Sequence, residues 1–156
     1  AMLADQAAFA PFEYRRDHLE VHRMSGDQLD FADGEFDISF SLSSIEHFGS
    51  RVTQRAAFDE MIRVVRPGGV ICIMTELILT EHRHDEYFQW EEMRELFLSH
   101  PSVELVGGDI DLSISESLVE HPVDMSNPTF VNRSPHIVLR LDGMEWTSLS
   151  LFFRRR

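Results

Sequence analysis

A single cysteine, Cys72, excludes an internal disulfide and any zinc site built from paired cysteines. Set inside the apolar run Val70-Ile71-Cys72-Ile73-Met74-Thr75, it reads as inert core and fits a reducing compartment. No stretch approaches the ~18 uninterrupted apolar residues of a membrane helix. The opening Ala1-Met2-Leu3-Ala4-Asp5 lacks the basic and long apolar regions of a secretory leader. These absences predict a soluble, cytoplasmic protein without a membrane partner. Basic charge is also scarce: 14 basic against 27 acidic residues give a formal net charge of -13, which repels a phosphate backbone. The one basic run, Arg154-Arg155-Arg156, suits a solvated strand end. Nucleic acid is therefore excluded as a partner, and a small-molecule or glycan-like substrate is expected.

What is present suffices for one globular domain, since 43% of the 156 residues are hydrophobic and twelve are Phe. Residues 3–14 predict an irregular arm or a short helix, interrupted at Pro11. Alternation of apolar and polar positions predicts strands over Leu19–Met24 and Phe36–Leu42, closed by the turn formers Ser25-Gly26-Asp27 and Ala32-Asp33-Gly34. Val52, Ala56, Phe58, Met61, Ile62 and Val65 recur at helical spacing and predict a helix over 52–65, stopped by Arg66-Pro67-Gly68-Gly69. The β-branched run Val70–Thr75 then reads as a strand buried on both faces. A helix over Tyr87–Leu98 and a strand opening at Val103 follow. Residues 109–135 hold too many turn formers for a long regular element and predict a loop insertion, with one short helix near Glu116–Val119. His136–Leu141 and Thr147–Phe153 can pair as a hairpin around Asp142-Gly143.

Three segments in order carry chemistry: Gly26-Asp27-Gln28 through Phe36-Asp37, Ser41-Leu42-Ser43-Ser44-Ile45-Glu46-His47-Phe48, and Glu60-Met61-Ile62-Arg63-Val64-Val65-Arg66-Pro67-Gly68-Gly69. Their order resembles the class I S-adenosylmethionine-dependent methyltransferases, of the type 11-like kind. The resemblance implies an α/β fold: an incomplete Rossmann-like methyltransferase domain, mostly parallel, with an antiparallel C-terminal strand. One partial domain is expected over 1–156, with an arm over 1–18, an α/β core over 19–108, the insertion over 109–135 and C-terminal strands over 136–156. S-adenosylmethionine is the implied cofactor, with Asp27 and the Gln28 amide at adenine and Ser41 and Ser43 near the cofactor at the strand end. Asp27 also fits a plain turn former after Gly26. His47 is the candidate catalytic group, because imidazole titrates near neutral pH. Glu46, Glu76 and His82 are candidate substrate contacts. No metal is expected: Glu81-His82-Arg83-His84-Asp85-Glu86 has ligand types, but His82 and His84 are spaced to share a face only on a strand.

The family's Gly-x-Gly-x-Gly cofactor loop and its ribose-binding acidic residue have no counterpart here, as Gly68-Gly69 and Gly107-Gly108 stand in other places. The sequence thus reads as the C-terminal two-thirds of such a domain, N-terminally truncated. In the family's strand order the absent strands lie between Leu19–Met24 and Phe36–Leu42. Two outcomes are expected: direct pairing of these two strands, or a homodimer through the exposed sheet edge. Two functions stay open, a methyltransferase acting on a small hydroxylated or glycan-related acceptor and a non-catalytic, methyltransferase-like dimerisation or interaction module.

Overall fold

The computed structural model describes Ala8, residues 12–127 and residues 137–156. Most of the expected arm over 3–14, and the start of the strand expected from His136, lie outside the described residues.

Strand β1, Phe36–Leu42, has the predicted bounds. A 3-10 turn at Ile45–His47 leads to helix α1, Arg51–Val64, whose N-terminus is capped by the Ser50 hydroxyl accepting from the Thr53 amide at 3.2 Å. The helix buries Gln54, Ala57, Phe58, Met61, Ile62 and Val64. Val52, counted in the predicted apolar stripe, is instead 80% exposed. The stripe is rotated because the first turn is fixed by its polar cap and by Arg51 rather than by the core.

Strand β2, Val65–Ile78, starts directly at the helix end and is longer than the apolar run predicts. It pairs parallel to β1, with Phe36 opposite Val65 and Ile38 opposite Val70. The register jump is an exposed bulge of Arg66, Pro67 and Gly68, where Gly68 has φ 77° and Pro67 withholds no ladder hydrogen bond. Arg66 Nε donates to Asp37 Oδ1 at 2.6 Å across the bulge.

Helix α2, Trp90–Met93, begins with a capping box between Gln89 and Glu92 and continues as a π-helical turn over Arg94–Leu98. Strand β3 is Val103–Leu105, α3 is Glu116–Glu120 and β4 is Val123–Asp124, so the expected insertion does hold one short helix. Strands β5, Leu139–Leu141, and β6, Met144–Arg155, form the expected hairpin. Asp142 and Gly143 both have positive φ, 49° and 83°, the geometry a tight two-residue hairpin requires.

The sheet order is β1-β2-β6-β5-β4, with β3 on β6. Pairs β1–β2 and β4–β5 are parallel, whereas β2–β6, β3–β6 and β5–β6 are antiparallel. The sheet is therefore mixed rather than mostly parallel, because the long β6 contributes both of its edges. Leu19–Met24 joins no strand, and only an isolated bridge links Ser25 to Gln28. The expected direct pairing with β1 does not form. Residues 25–34 run along α1 instead: Glu60 accepts from the Leu29 amide at 2.7 Å, and Arg63 donates to the carbonyls of Leu29 and Phe31 at 2.9 and 2.8 Å. The Arg63 hydrogen bond holds the Glu60 carboxyl below its ordinary range.

The core lies on one face of the sheet. Ile71, Ile73, Leu151 and Phe153 meet Phe58, Met61 and Ile62 of α1 and Met93 and Phe97 of the second helical segment. The other face of β1 stays open, with Ile38, Phe40 and Leu42 at 59%, 66% and 51% exposure.

Candidate functional site

The polar groups gather beyond the carboxyl end of β1, where Leu42 lies opposite Met74 and the parallel neighbour β2 runs on alone to Ile78. Past Leu42 the chain reverses through Ser43, which adopts φ 41° and donates its amide to Met74 O at 2.9 Å. A left-handed non-glycine residue is strained, and here the strain turns the chain sharply at the strand end. Ser41 Oγ accepts from the Ile45 amide at 3.1 Å and closes the following 3-10 turn.

That turn sends Glu46 inward and His47 outward. Glu46 is 1% exposed; its Oε2 accepts from Thr75 Oγ1 at 2.9 Å, and its Oε1 is buried without a hydrogen-bond partner. Gln54 Nε2 anchors the turn from α1, donating to Glu46 O at 2.8 Å and Gly49 O at 3.2 Å. His47 Nδ1 lies 3.1 Å from Glu86 Oε1, with both side chains about half exposed. Glu76 follows Thr75 on β2 and takes the hydroxyl of Ser148 on both carboxylate oxygens at 3.1 Å. Burial pushes the Glu76 carboxyl up and the nearby Glu46 adds to this, while Ser148 and His47 act in the opposite direction. Burial also raises the Tyr87 phenol, with Glu76, Glu86 and Glu46 reinforcing it. Glu46, Glu76, Glu86, His47 and Tyr87 therefore form one electrostatic neighbourhood.

Tyr87 and the neighbouring Arg51 carry no sequence signal. Tyr87 looks like the first residue of a helix, yet it stacks on His84 with ring centroids 4.5 Å apart and faces Trp146 at 5.4 Å. Arg51 looks like an exposed helix start. Its guanidinium instead donates to the carbonyls of His84, Glu86 and Tyr87 at 3.3, 3.2 and 2.7 Å, pairs with Glu92, and lies 4.3 Å above the Phe88 ring. One cation thus fixes the loop after β2 against α1. The loop and helix start enclose an open cavity of about 690 Å³ lined by His47, Ser50, Arg51, Arg83, His84 and Glu86, among others. The only sequence cue was the density of charged residues over 81–86.

His82 is turned away from this group. Its Nδ1 pairs with Thr80 Oγ1 at 2.9 Å, and its ring lies beside Gly143 in the hairpin turn. His84 Nδ1 accepts from the amides of Glu86 and Tyr87, which occupies that nitrogen. Among the described residues no group of three or more His, Cys, Asp or Glu could hold a metal ion. Asp27 lies in the Ser25–Gln28 turn, where it accepts from Ser25 Oγ while the Gln28 amide donates to Ser25 O at 3.2 Å. Gly26 abuts the Phe48 ring, so this turn rests beside the segment that carries Glu46 and His47.

A pH test follows from Glu76. A carboxyl raised in the fold contributes stability below its unfolded pKa and loses it as pH rises through the folded value. Glu76→Gln should therefore match the wild type at acid pH and melt higher than it toward neutral pH, as read by thermal denaturation across pH. A wild-type-minus-variant difference that does not change with pH would remove the buried-carboxylate account.

Fold and site together define an α/β domain with a mixed sheet and a polar crevice beyond its parallel strand ends. Residues 2–73, just under half of the chain, match the family model for a methyltransferase domain. Among solved structures the fold is similar to that of the [4+2]-cyclase SpnF, at 15% identity and a TM-score of 0.51, over 85% of this chain and 54% of that one. It is also similar to the MccD protein, at 13% identity and a TM-score of 0.51, over 85% of this chain and 66% of that one. These identities establish likeness of fold alone. The chain spans between about half and two thirds of the length of these two proteins. No curated protein matches the sequence.

Proposed function

We propose that the chain serves S-adenosylmethionine-dependent methyl transfer to a small hydroxylated or glycan-related acceptor in the cytoplasm. The observation that carries this reading is convergence: the Asp27 turn and the Ser41–His47 reversal lie side by side within the segment matched to the methyltransferase domain, and Glu76 follows just beyond it on β2. The Asp27 carboxylate suits the exocyclic amine of adenine. Ser41 and Ser43 would border the cofactor at the strand end, and Glu76 is the proposed acceptor contact; Glu46, sealed behind the turn, and His82, turned toward the hairpin, are not placed to touch an acceptor. Bound there, the cofactor would supply an electrophilic methyl group on a sulfonium.

Proximity and alignment do most of the work in such a transfer. The part left to this chain is to hold the acceptor and take its proton. His47 is exposed enough to meet a hydroxyl, and Glu86 beside Nδ1 favours the tautomer that leaves Nε2 free to accept that proton. The fit is partial, because the Gln28 amide is already bonded within its turn and the sequence has no glycine-rich loop for the cofactor's amino-acid part. The bonded Gln28 amide favours the second reading, a methyltransferase-like interaction module without catalysis.

Calorimetric titration with S-adenosylhomocysteine separates them. Micromolar binding is expected, weakened about tenfold or more by Asp27→Ala, as for one charge-assisted hydrogen bond worth ~1.5–3 kcal/mol. Absence of heat at millimolar ligand would exclude catalysis by this chain and leave the interaction module.

A further inference from the structure

We propose that the outer edge of β1 pairs antiparallel with β1 of a second copy of this chain, across a two-fold axis passing through Ser39. This inference is independent of cofactor binding.

Strand β1 ends the sheet order, and among the described residues no backbone hydrogen bond occupies its outer side. The Ser43 amide points to Met74 of β2. Backbone groups alternate sides along a strand, so the amides and carbonyls of Ile38, Phe40 and Leu42 face outward. The segment most expected to cover them, Leu19–Met24, forms no strand.

The strand's own sequence selects the occupant. Phe36-Asp37-Ile38-Ser39-Phe40-Ser41-Leu42 has the same apolar and polar pattern read in either direction. With the axis at Ser39, Ile38 lies opposite the second copy's Phe40, and Phe36 opposite its Leu42. Each apolar side chain thus meets an apolar side chain on the same face, the arrangement that stabilises a sheet seam. Asp37, the strand's only charge, lies opposite Ser41 of the second copy and keeps its own partner Arg66, so no like charges meet. A one-residue slip would set the apolar positions against Asp and Ser and lose this match.

Charge placement agrees. In a chain of net charge -13, the exposed side chains Ile38, Phe40 and Leu42 on this face of β1 include no carboxylate. The acidic charge on the pairing strands is then confined to the two Asp37 carboxylates, each held by its own Arg66. Phe152 adds a further large apolar side chain at 44% exposure. Isologous pairing of this kind closes on itself as a dimer and leaves no new edge at the seam.

Sedimentation velocity together with cysteine trapping tests the proposal. The wild type should sediment as a dimer at tens of micromolar, and Phe40→Lys should sediment as a monomer with unchanged far-ultraviolet circular dichroism, since position 40 is already largely exposed. Ser39 faces its own copy at a pair that does not exchange hydrogen bonds, where side chains come closest. A Ser39→Cys variant should therefore form a covalent dimer on mild oxidation, with peptide mapping placing the bond between the two introduced cysteines rather than at buried Cys72. A monomeric wild type would overturn the proposal and indicate that other polypeptide covers this edge. A dimer that neither dissociates with Phe40→Lys nor traps at position 39 would overturn it in favour of another interface.

Discussion

Gly69→Ala is expected to destabilise the protein severely, by ~3 kcal/mol or more, because the added methyl group has nowhere to go. A Cβ at position 69 would stand 2.6 Å from the Asp37 carbonyl oxygen, 2.9 Å from the Arg66 carbonyl oxygen and 2.5 Å from Val65 Cγ1. Two of these obstacles are backbone, so relief requires separating β1 from β2 at the bulge that sets their register. A large fall in melting temperature, or failure to accumulate folded protein, is the expected result. A variant melting within a degree or two of the wild type would show that the bulge is soft. Gly26→Ala offers a comparison, since the neighbour there is the edge of the Phe48 ring, which can swing aside at smaller cost.

Phe58→Ala should be about as damaging for the opposite reason, an emptied site. Phe58 is 0% exposed and its ring touches Phe97, His100 and Phe153, with centroids 5.2, 5.7 and 5.4 Å away. It is the point where α1, the π-helical turn and β6 meet. Truncation of a fully buried Phe removes ~3–5 kcal/mol, against a total of ~5–15 kcal/mol for an ordinary domain. For a chain of this size the melting temperature should fall by on the order of 10 °C. Phe58→Leu, which refills most of the volume, should recover much of the loss. Equal melting of Phe58→Ala and the wild type would mean that the helices do not rely on this contact. The Phe58–His100 contact also bears on pH. Burial first, and Arg55 second, push the His100 imidazole down, outweighing the Asp59 carboxylate 3.0 Å from it. A lowered imidazole means stability is lost as pH falls from the unfolded toward the folded pKa, so this core corner weakens in acid.

Strand β1, helix α1 and the β5–β6 hairpin were legible because each is fixed by its own residues. Alternation defines β1, helical spacing of apolar residues ahead of Arg66-Pro67-Gly68-Gly69 defines α1, and Asp142-Gly143 supplies the two positive φ angles of the turn. The short helix at Glu116–Glu120 was legible on the same basis. Leu19–Met24 misled because alternation states only that a segment could be half of a pair, and among the described residues no strand pairs with it. In the candidate site, Asp27, Ser41, Ser43, Glu46 and His47 stood out as local motifs, and the structure draws them with Glu76 to one end of the sheet. Arg51 and Tyr87 stayed hidden, since nothing near them in sequence hints at the carbonyls of residues 84–87 or at Trp146.

By itself the sequence determined the order of elements, the acidic surface and the family likeness over residues 2–73, because caps, turns and hydrophobic period act over a few neighbouring residues. Only the tertiary structure decided that the sheet is mixed, that residues 25–34 lie along α1, that Glu46 is sealed in while His47 faces solvent, and that one apolar strip of β1 is left uncovered. Those outcomes depend on which distant surfaces meet. Burial, and with it the cost of leaving a carboxylate or an apolar edge in the wrong medium, is a property of the assembled layers and not of any segment within them.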